Sequence, residues 1–247
     1  MENWCSRTEL LLGNEKIKKL QDAHVLVVGL GGVGGMAAEM ICRSGIGEMT
    51  ILDADTVAFS NINRQLAALH STVGKPKAEV LASRLRDINP KLRLHVIVDF
   101  LDEEKMESLL NNKFDFVVDA IDTIMPKVTL IKACVEQNIP IVSSMGSGAK
   151  IDPMQVKITD ISKTENCALA RTVRQRLSKM GIKKGIPVVA STECGNKDAV
   201  LLVENEKNKK STTGTISYMP AIFGCLLASY VIQNVSHKDT KNTTFSW

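Results

Sequence analysis

The densest concentration of residues able to do chemistry is the glycine turn Gly29-Leu30-Gly31-Gly32-Val33-Gly34-Gly35. Glycine has no Cβ and tolerates positive φ, so such a turn can bend tightly and bring backbone N–H groups against a phosphate. Asp53 lies at the end of the next apolar run, where a carboxylate accepts hydrogen bonds from ribose hydroxyls. Gly29, Gly31, Gly32, Gly34 and Asp53 fit an NAD-type dinucleotide as well as they fit ATP. The residues that follow favour ATP. Ser60-Asn61-Ile62-Asn63-Arg64-Gln65 adds amides and a guanidinium, and Lys75-Pro76-Lys77 adds two more cations. Attack on an α-phosphorus builds charge at the pentavalent centre and on the leaving pyrophosphate, which Arg64 and Lys77 are suited to stabilise. Asp122 is a hard oxygen ligand suited to Mg2+. Any one of these charges alone reads as a solvated surface group; three at one edge point to a catalytic site.

The elements that must position these residues follow from hydrophobic periodicity. His24 to Val28 is a short apolar run ending at glycine, the pattern of a buried parallel strand. A helix is expected from Gly31 to Ser44, closed by Gly45 and Gly47. Strands follow at Met49 to Leu52, Leu92 to Val98, Phe114 to Val118 and Ile139 to Ser143. Helices separate them at Pro76 to Ile88, Asp102 to Leu110 and Lys127 to Gln137. This alternation predicts an α/β fold with a Rossmann-like, mostly parallel sheet and helices on both faces. After Ser144 the rhythm breaks. Gln155 to Ile158, Pro187 to Ala190 and Ala199 to Val203 read as strands extending the sheet in antiparallel fashion, with a charged turn from Glu204 to Thr213. One domain is expected over residues 1–247, with a nucleotide-binding core at 1–160 and substrate-binding and dimerisation elements at 161–247.

The composition is that of an ordinary soluble chain, 44% hydrophobic and 23% charged, with a net charge of +4. The net charge is unevenly placed. Arg171, Arg174, Arg176, Lys179, Lys183 and Lys184 contain no acid between them and fall largely on a helix expected from Ala168 to Met180. Such a run is often a solvated face, but its lack of balance favours phosphate contact. With aromatics at only 4% of residues, shape and phosphate recognition of a folded RNA is favoured over base stacking. The apolar stretch from Met219 to Val235 is short and interrupted by Pro220, Gly224 and Gln233, so a buried or interfacial helix is expected rather than a membrane span. Six scattered cysteines without a C-x-x-C pair, and no secretory n-region, suggest reduced thiols in a cytoplasmic protein.

As an ordered set, Gly29-x-Gly31-x-x-Gly34, Asp53-x-Asp55, Ser60-Asn61-x-Asn63-Arg64-Gln65, Gly74-x-Pro76-Lys77 and Asp119-Ala120-Ile121-Asp122 resemble the ubiquitin-activating-like (ThiF/MoeB-like) adenylating superfamily. The resemblance spans roughly residues 7–160. It implies ATP contacts at Gly32, Asp53, Ser60 to Arg64, Lys77, Asp122 and Thr123. It also implies a homodimer in which Arg7 reaches the partner subunit's ATP. Ile151-Asp152-Pro153, Ile158-Thr159-Asp160-Ile161-Ser162-Lys163-Thr164, Leu169-Ala170, Arg7-Thr8-Glu9-Leu10-Leu11-Leu12-Gly13 and Ser191-Thr192-Glu193 resemble one branch, the tRNA threonylcarbamoyladenosine dehydratases. That branch implies adenylation of a carboxylate on a tRNA base, then ring closure by a nitrogen of the same modification, so no catalytic cysteine is required. The basic run would then bind the tRNA. The chain departs from the branch pattern where Cys167-Ala168 replaces Asp-Pro. Two other readings remain: an activating enzyme for a sulfur-carrier or other small carrier protein, using Cys167 or Cys194, and a non-catalytic nucleotide sensor.

Overall fold

Strand β1 (His24–Val28) has four consecutive buried residues, because helices cover it on both faces. The computed structural model describes residues 4–202 and 211–237. Around β1 lie α3 (Gly32–Arg43), β2 (Glu48–Leu52), α4 (Lys77–Ile88), β3 (Arg93–Ile97), α5 (Glu103–Leu110), β4 (Phe116–Asp119), α6 (Ile124–Glu136) and β5 (Ile141–Ser144), in chain order, preceded by α1 (Ser6–Leu12) and α2 (Asn14–Asp22). Then come β6 (Val156–Asp160), α7 (Ala168–Lys179), β7 (Pro187–Ser191), β8 (Val200–Leu202), β9 (Ser211–Thr213) and α8 (Tyr218–Ser236).

The main sheet has the order β3-β2-β1-β4-β5-β7-β6. β1 pairs in parallel with β2 on one side and β4 on the other, so the chain reverses its direction of winding there. Ligands of open α/β sheets bind in the crevice outside the carboxyl ends of such a pair. The expected α/β architecture is therefore found, with one refinement. β7 runs parallel to β5, and only β6, at the edge, is antiparallel. β8 and β9 form a separate two-stranded sheet. Ser211–Thr213, read from the sequence as part of a charged turn, is strand β9; the rest of that turn, and Val203, lie outside the described residues.

Helices α1 and α2 have no counterpart in the sequence reading. Their signal is weak because α1 buries no residue and α2 buries only Ile17 and Leu20. Gly13 joins them at φ +83, a conformation that only glycine adopts without strain. One apolar layer packs α3, α4 and α8 against the sheet, and a second packs α5, α6 and α7 on the opposite face. α8 is long and apolar enough to cross a membrane by length and composition, yet half of its apolar window is buried. Phe223, Leu227 and Val231 fill the first layer. A Cβ added at Gly224 would lie 2.5 Å from the Val33 carbonyl oxygen, so this glycine is what lets α8 lie directly on α3.

Candidate active site

The turn between β1 and α3 is built by glycines with little tolerance for replacement. Gly29 has φ +86, and an added Cβ would sit 2.8 Å from the Ala120 carbonyl oxygen, at the end of β4. An added Cβ at Gly34 would come within 1.7 Å of the Gly29 carbonyl oxygen. Gly31 caps the N-terminus of α3 in an extended conformation. The free N–H groups of the first turn therefore open on the β1–β4 crevice, with the positive end of the helix dipole behind them.

Asp53 ends β2 and holds this turn directly. Its Oδ2 accepts from the Leu30 N–H at 2.6 Å and its Oδ1 from the Asp55 N–H at 2.8 Å. Burial pushes the Asp53 carboxyl up, and the Lys77 ammonium and the two N–H donors oppose that rise. Each oxygen keeps lone-pair capacity for a ribose hydroxyl. Lys77, the first residue of α4, is buried, and its Nζ lies 2.7 Å from Asp55 Oδ2. Asp55 thus holds the lysine that was expected to meet phosphate, although an ammonium has two further protons to donate.

The segment from Ser60 to Arg64 folds over the glycines. Phe59–Asn61 is a short 3-10 turn in which Asn61 Oδ1 accepts from the Ala58 N–H at 3.1 Å. Arg64 Nη1 donates to the Ser60 carbonyl and to Asn63 Oδ1, both at 2.9 Å, and Asn63 Nδ2 donates to the Thr215 carbonyl at 2.9 Å. The Arg64 carbonyl oxygen and Pro220 leave no room for a side chain at Gly32, where an added Cβ would approach them to 3.0 and 2.9 Å. Burial lowers the Arg64 pKa, and the charge of the Asp122 carboxylate works against it. Thr123 is the N-cap of α6, and Asp122 precedes it, exposed.

Two features here were given no role in the sequence reading, although Gln65 and Asp119 stand in its motifs. Gln65 Oε1 is buried and is the one such side-chain atom without a hydrogen-bond partner among the described residues; its amide nitrogen lies 3.7 Å from where a Cβ on Gly31 would be. An orphaned acceptor beside a phosphate-type turn fits a ligand donor. The second feature is a fully buried trio beneath the site. Lys127 Nζ is 2.6 Å from Asp119 Oδ2 and 3.1 Å from Ser143 Oγ, and Ser143 Oγ donates to Asp119 Oδ2 at 2.6 Å. Asp119 Oδ1 accepts from the Ile121 N–H at 3.0 Å, so the trio locks the start of the loop that carries Asp122. Its sequence signal is a lysine sharing a helical stripe with Ile131 and Cys134, a position that demands a carboxylate partner.

Arg7 lies elsewhere. Cys5, beside it, packs near Gly45, past the C-terminal end of α3, whereas the glycine turn is at the N-terminal end of that helix. At 12 residues α3 separates the two by about 18 Å. α7 packs on the second apolar layer through Ala170, Val173 and Leu177. Arg171, Arg176, Lys179, Lys183 and Lys184 are exposed. Arg174 is half-buried and held: its Nη1 donates to the Thr164 carbonyl at 2.8 Å and to Thr164 Oγ1 at 2.6 Å, tying α7 to the turn after β6. Arg174, Lys179 and Lys183 line an open groove of about 710 Å³. Arg176 Nη1 lies 3.0 Å from Met125 Sδ in the first turn of α6, so the basic helix adjoins the end of α6 that carries Asp122 and Thr123.

The six cysteines are free thiols. Burial pushes Cys42 and Cys134 up to about 12. Cys167 Sγ accepts from the Ala170 N–H at 3.4 Å and so takes over, at the departure from the branch pattern, the N-cap role an aspartate fills well. Cys194 is exposed.

A family model for the ThiF family matches residues 5–246. The chain belongs to the ThiF family. Among curated ThiF-like relatives, the tRNA threonylcarbamoyladenosine dehydratase of Bacillus subtilis is 39% identical over 237 residues, 93% of each chain. Among solved structures, the E. coli tRNA N6-threonylcarbamoyladenosine dehydratase in complex with ATP superposes with a TM-score of 0.86 at 36% identity, covering 94% of this chain and 93% of that one. The same enzyme in complex with AMP gives a TM-score of 0.85 at 37% identity, covering 94% of each.

Proposed function

We propose that this chain is an ATP-dependent tRNA threonylcarbamoyladenosine dehydratase. The observation that carries the reading is the basic helix α7 set against the first turn of α6, the helix into which Asp122 and Thr123 lead. The likeness along nearly the whole chain to a dehydratase solved with ATP and with AMP supports it.

ATP lies on the glycine turn, its phosphates against the N-terminus of α3 and its ribose within reach of Asp53. Gln65 Oε1 accepts from a nucleotide hydroxyl. A carboxylate oxygen of the threonyl group attacks the α-phosphorus and the bond to pyrophosphate breaks. Arg64 and Lys77 offset the charge that develops on the phosphoryl oxygens. A single exposed carboxylate, Asp122, beside substrate phosphates is a donor set that suits Mg2+, which when bound would neutralise charge on the pyrophosphate. The carbamoyl nitrogen bonded to the adenine then attacks the acyl carbon. AMP leaves with the former carboxylate oxygen, the nitrogen gives up its proton, and a hydantoin ring closes with net loss of water. The nucleophile is held within the substrate, so proximity replaces a catalytic thiol.

Residues 1–160 supply the nucleotide core in this reading, and 161–247 the RNA-binding and dimerisation elements. A second copy supplies Arg7 to the opposite site; Leu10 and Leu11 on the same helix are 88% and 82% exposed, a surface such a partner would cover. Six free thiols fit a cytoplasmic setting. Activation of a sulfur-carrier or other carrier protein has less support, because the relatives alike along nearly the whole chain are dehydratases and Cys167 acts as a helix cap. The test is pyrophosphate–ATP exchange. Exchange should require tRNA bearing threonylcarbamoyladenosine; exchange driven by a carrier-protein tail in its place would refute the reading.

A further inference from the structure

At the amino ends of three neighbouring strands, on the sheet edge opposite the glycine turn, lies a polar cluster with no part in nucleotide chemistry. His24 opens β1, Glu48 opens β2, and Arg93 and His95 stand on β3. The registers His24↔Glu48, Glu48↔Arg93 and Thr50↔His95, with side chains alternating along each strand, place all five residues on one face.

Glu48 divides its two oxygens. Oε2 accepts from Arg93 Nε and Nη2 at 3.1 and 3.0 Å. Oε1 faces two imidazoles, with His95 Nε2 at 2.9 Å and His24 Nδ1 at 3.7 Å. A nitrogen of each ring and a carboxylate oxygen all lie within 4.8 Å of one another. The His24 ring is fixed from three sides. Its Nε2 lies 2.8 Å from Thr50 Oγ1, the Phe114 ring packs against it at a tilt with centroids 4.6 Å apart, and its backbone N–H donates to Asp115 Oδ2 at 2.9 Å. With Nε2–H donating to Thr50, the Nδ1 lone pair is directed at a carboxylate oxygen, a pair of acceptors that a metal ion can bridge.

We propose that His24, Glu48 and His95 bind a divalent transition-metal ion, for which zinc is the natural probe. Two imidazoles and one carboxylate are a recognised zinc donor set, and a tetrahedral site with bonds of about 2.1 Å places its ligand atoms about 3.4 Å apart. The observed separations of 2.9 and 3.7 Å bracket that value. Thr50 orients the non-ligating nitrogen of His24, as outer-shell partners of metal-bound histidines do. The His95 side chain is 55% exposed, which gives the ion a path in and a water a fourth position. The ion would clamp the amino ends of β1, β2 and β3, whose first two members carry Gly29 and Asp53 at their other ends.

The experiment is a zinc titration of the full-length, chelator-stripped protein by calorimetry, with the melting temperature followed in parallel. One zinc per chain and a raised melting temperature are expected. His95→Asn, at a half-exposed position that leaves the core intact, and Glu48→Gln should each weaken binding beyond the ~10–100-fold that loss of an outer-shell partner costs. Replacing Cys167, Cys194 and Cys225 by serine should leave it unchanged. Absence of stoichiometric binding, or binding that survives His95→Asn, would overturn the site and return the cluster to a plain hydrogen-bonded ion network. Loss of binding in the cysteine variant alone would overturn it equally.

Discussion

In the proposed reaction, Arg64 is the residue on which the chemistry turns. Its carbonyl oxygen lies against Gly32, and its side chain already bends back onto Ser60 and Asn63. Arg64→Ala should lower adenylation by about 10²–10³-fold, as loss of a preorganised donor to a charged transition state does, while tRNA binding stays the same. Single-turnover formation of AMP and a filter-binding assay measure the two effects separately. Lys127 makes a different prediction. Lys127→Met leaves the Asp119 carboxylate buried and unpaired, which should cost about 3–5 kcal/mol in urea unfolding. Asp119→Asn combined with Lys127→Met should restore part of that loss, because the uncompensated charge is then gone. The two residues also mark what the sequence made legible. Arg64 stood out because a cation beyond a second strand has a direct chemical use. Lys127 was hidden inside an apolar helical pattern, and its partners Asp119 and Ser143 come from two other strands that only the folded sheet brings together. Asp53 and Lys77 were found by type and position, but their engagement with Leu30 and Asp55 is a matter of three-dimensional packing.

At the scale of elements, the parallel half of the sheet was readable because buried strands and amphipathic helices carry different periods. Where one face of an element is left to solvent the signal weakens. α1 buries nothing, and β6 looked like one of several antiparallel strands although its neighbour β7 returns parallel to β5. α7 shows the same limit. Its charge run was plain, but the sequence could not separate Arg174, which holds Thr164, from the five cations that face outward. Reversing Arg171, Lys179 and Lys183 to glutamate should therefore weaken tRNA binding at least ~10-fold and lower the salt dependence by about one unit per phosphate contact removed. Affinity measured across a salt series reads both. Arg174→Glu should instead lower thermal stability, since it removes donors to two acceptors of the preceding turn.

At the scale of the molecule, one sheet serves two tasks at its carboxyl edge. In the proposed reaction the β1–β4 crevice holds the nucleotide, and α6 and α7 bring a cationic surface beside it, so an RNA carboxylate and an α-phosphorus can meet. α8 secures this arrangement from the other face, with Gly224 against α3 and Pro220 against Gly32. The glycine turn alone would have served a dinucleotide equally well; in the proposed reaction the surrounding charges give it its chemistry. The most direct measurement is nucleoside mass spectrometry of tRNA carrying threonylcarbamoyladenosine after incubation with the protein, ATP and Mg2+. The account predicts conversion of the modified nucleoside to a product lighter by one water, with AMP and pyrophosphate formed in equal amounts. An unchanged nucleoside in the presence of ATP turnover would contradict it.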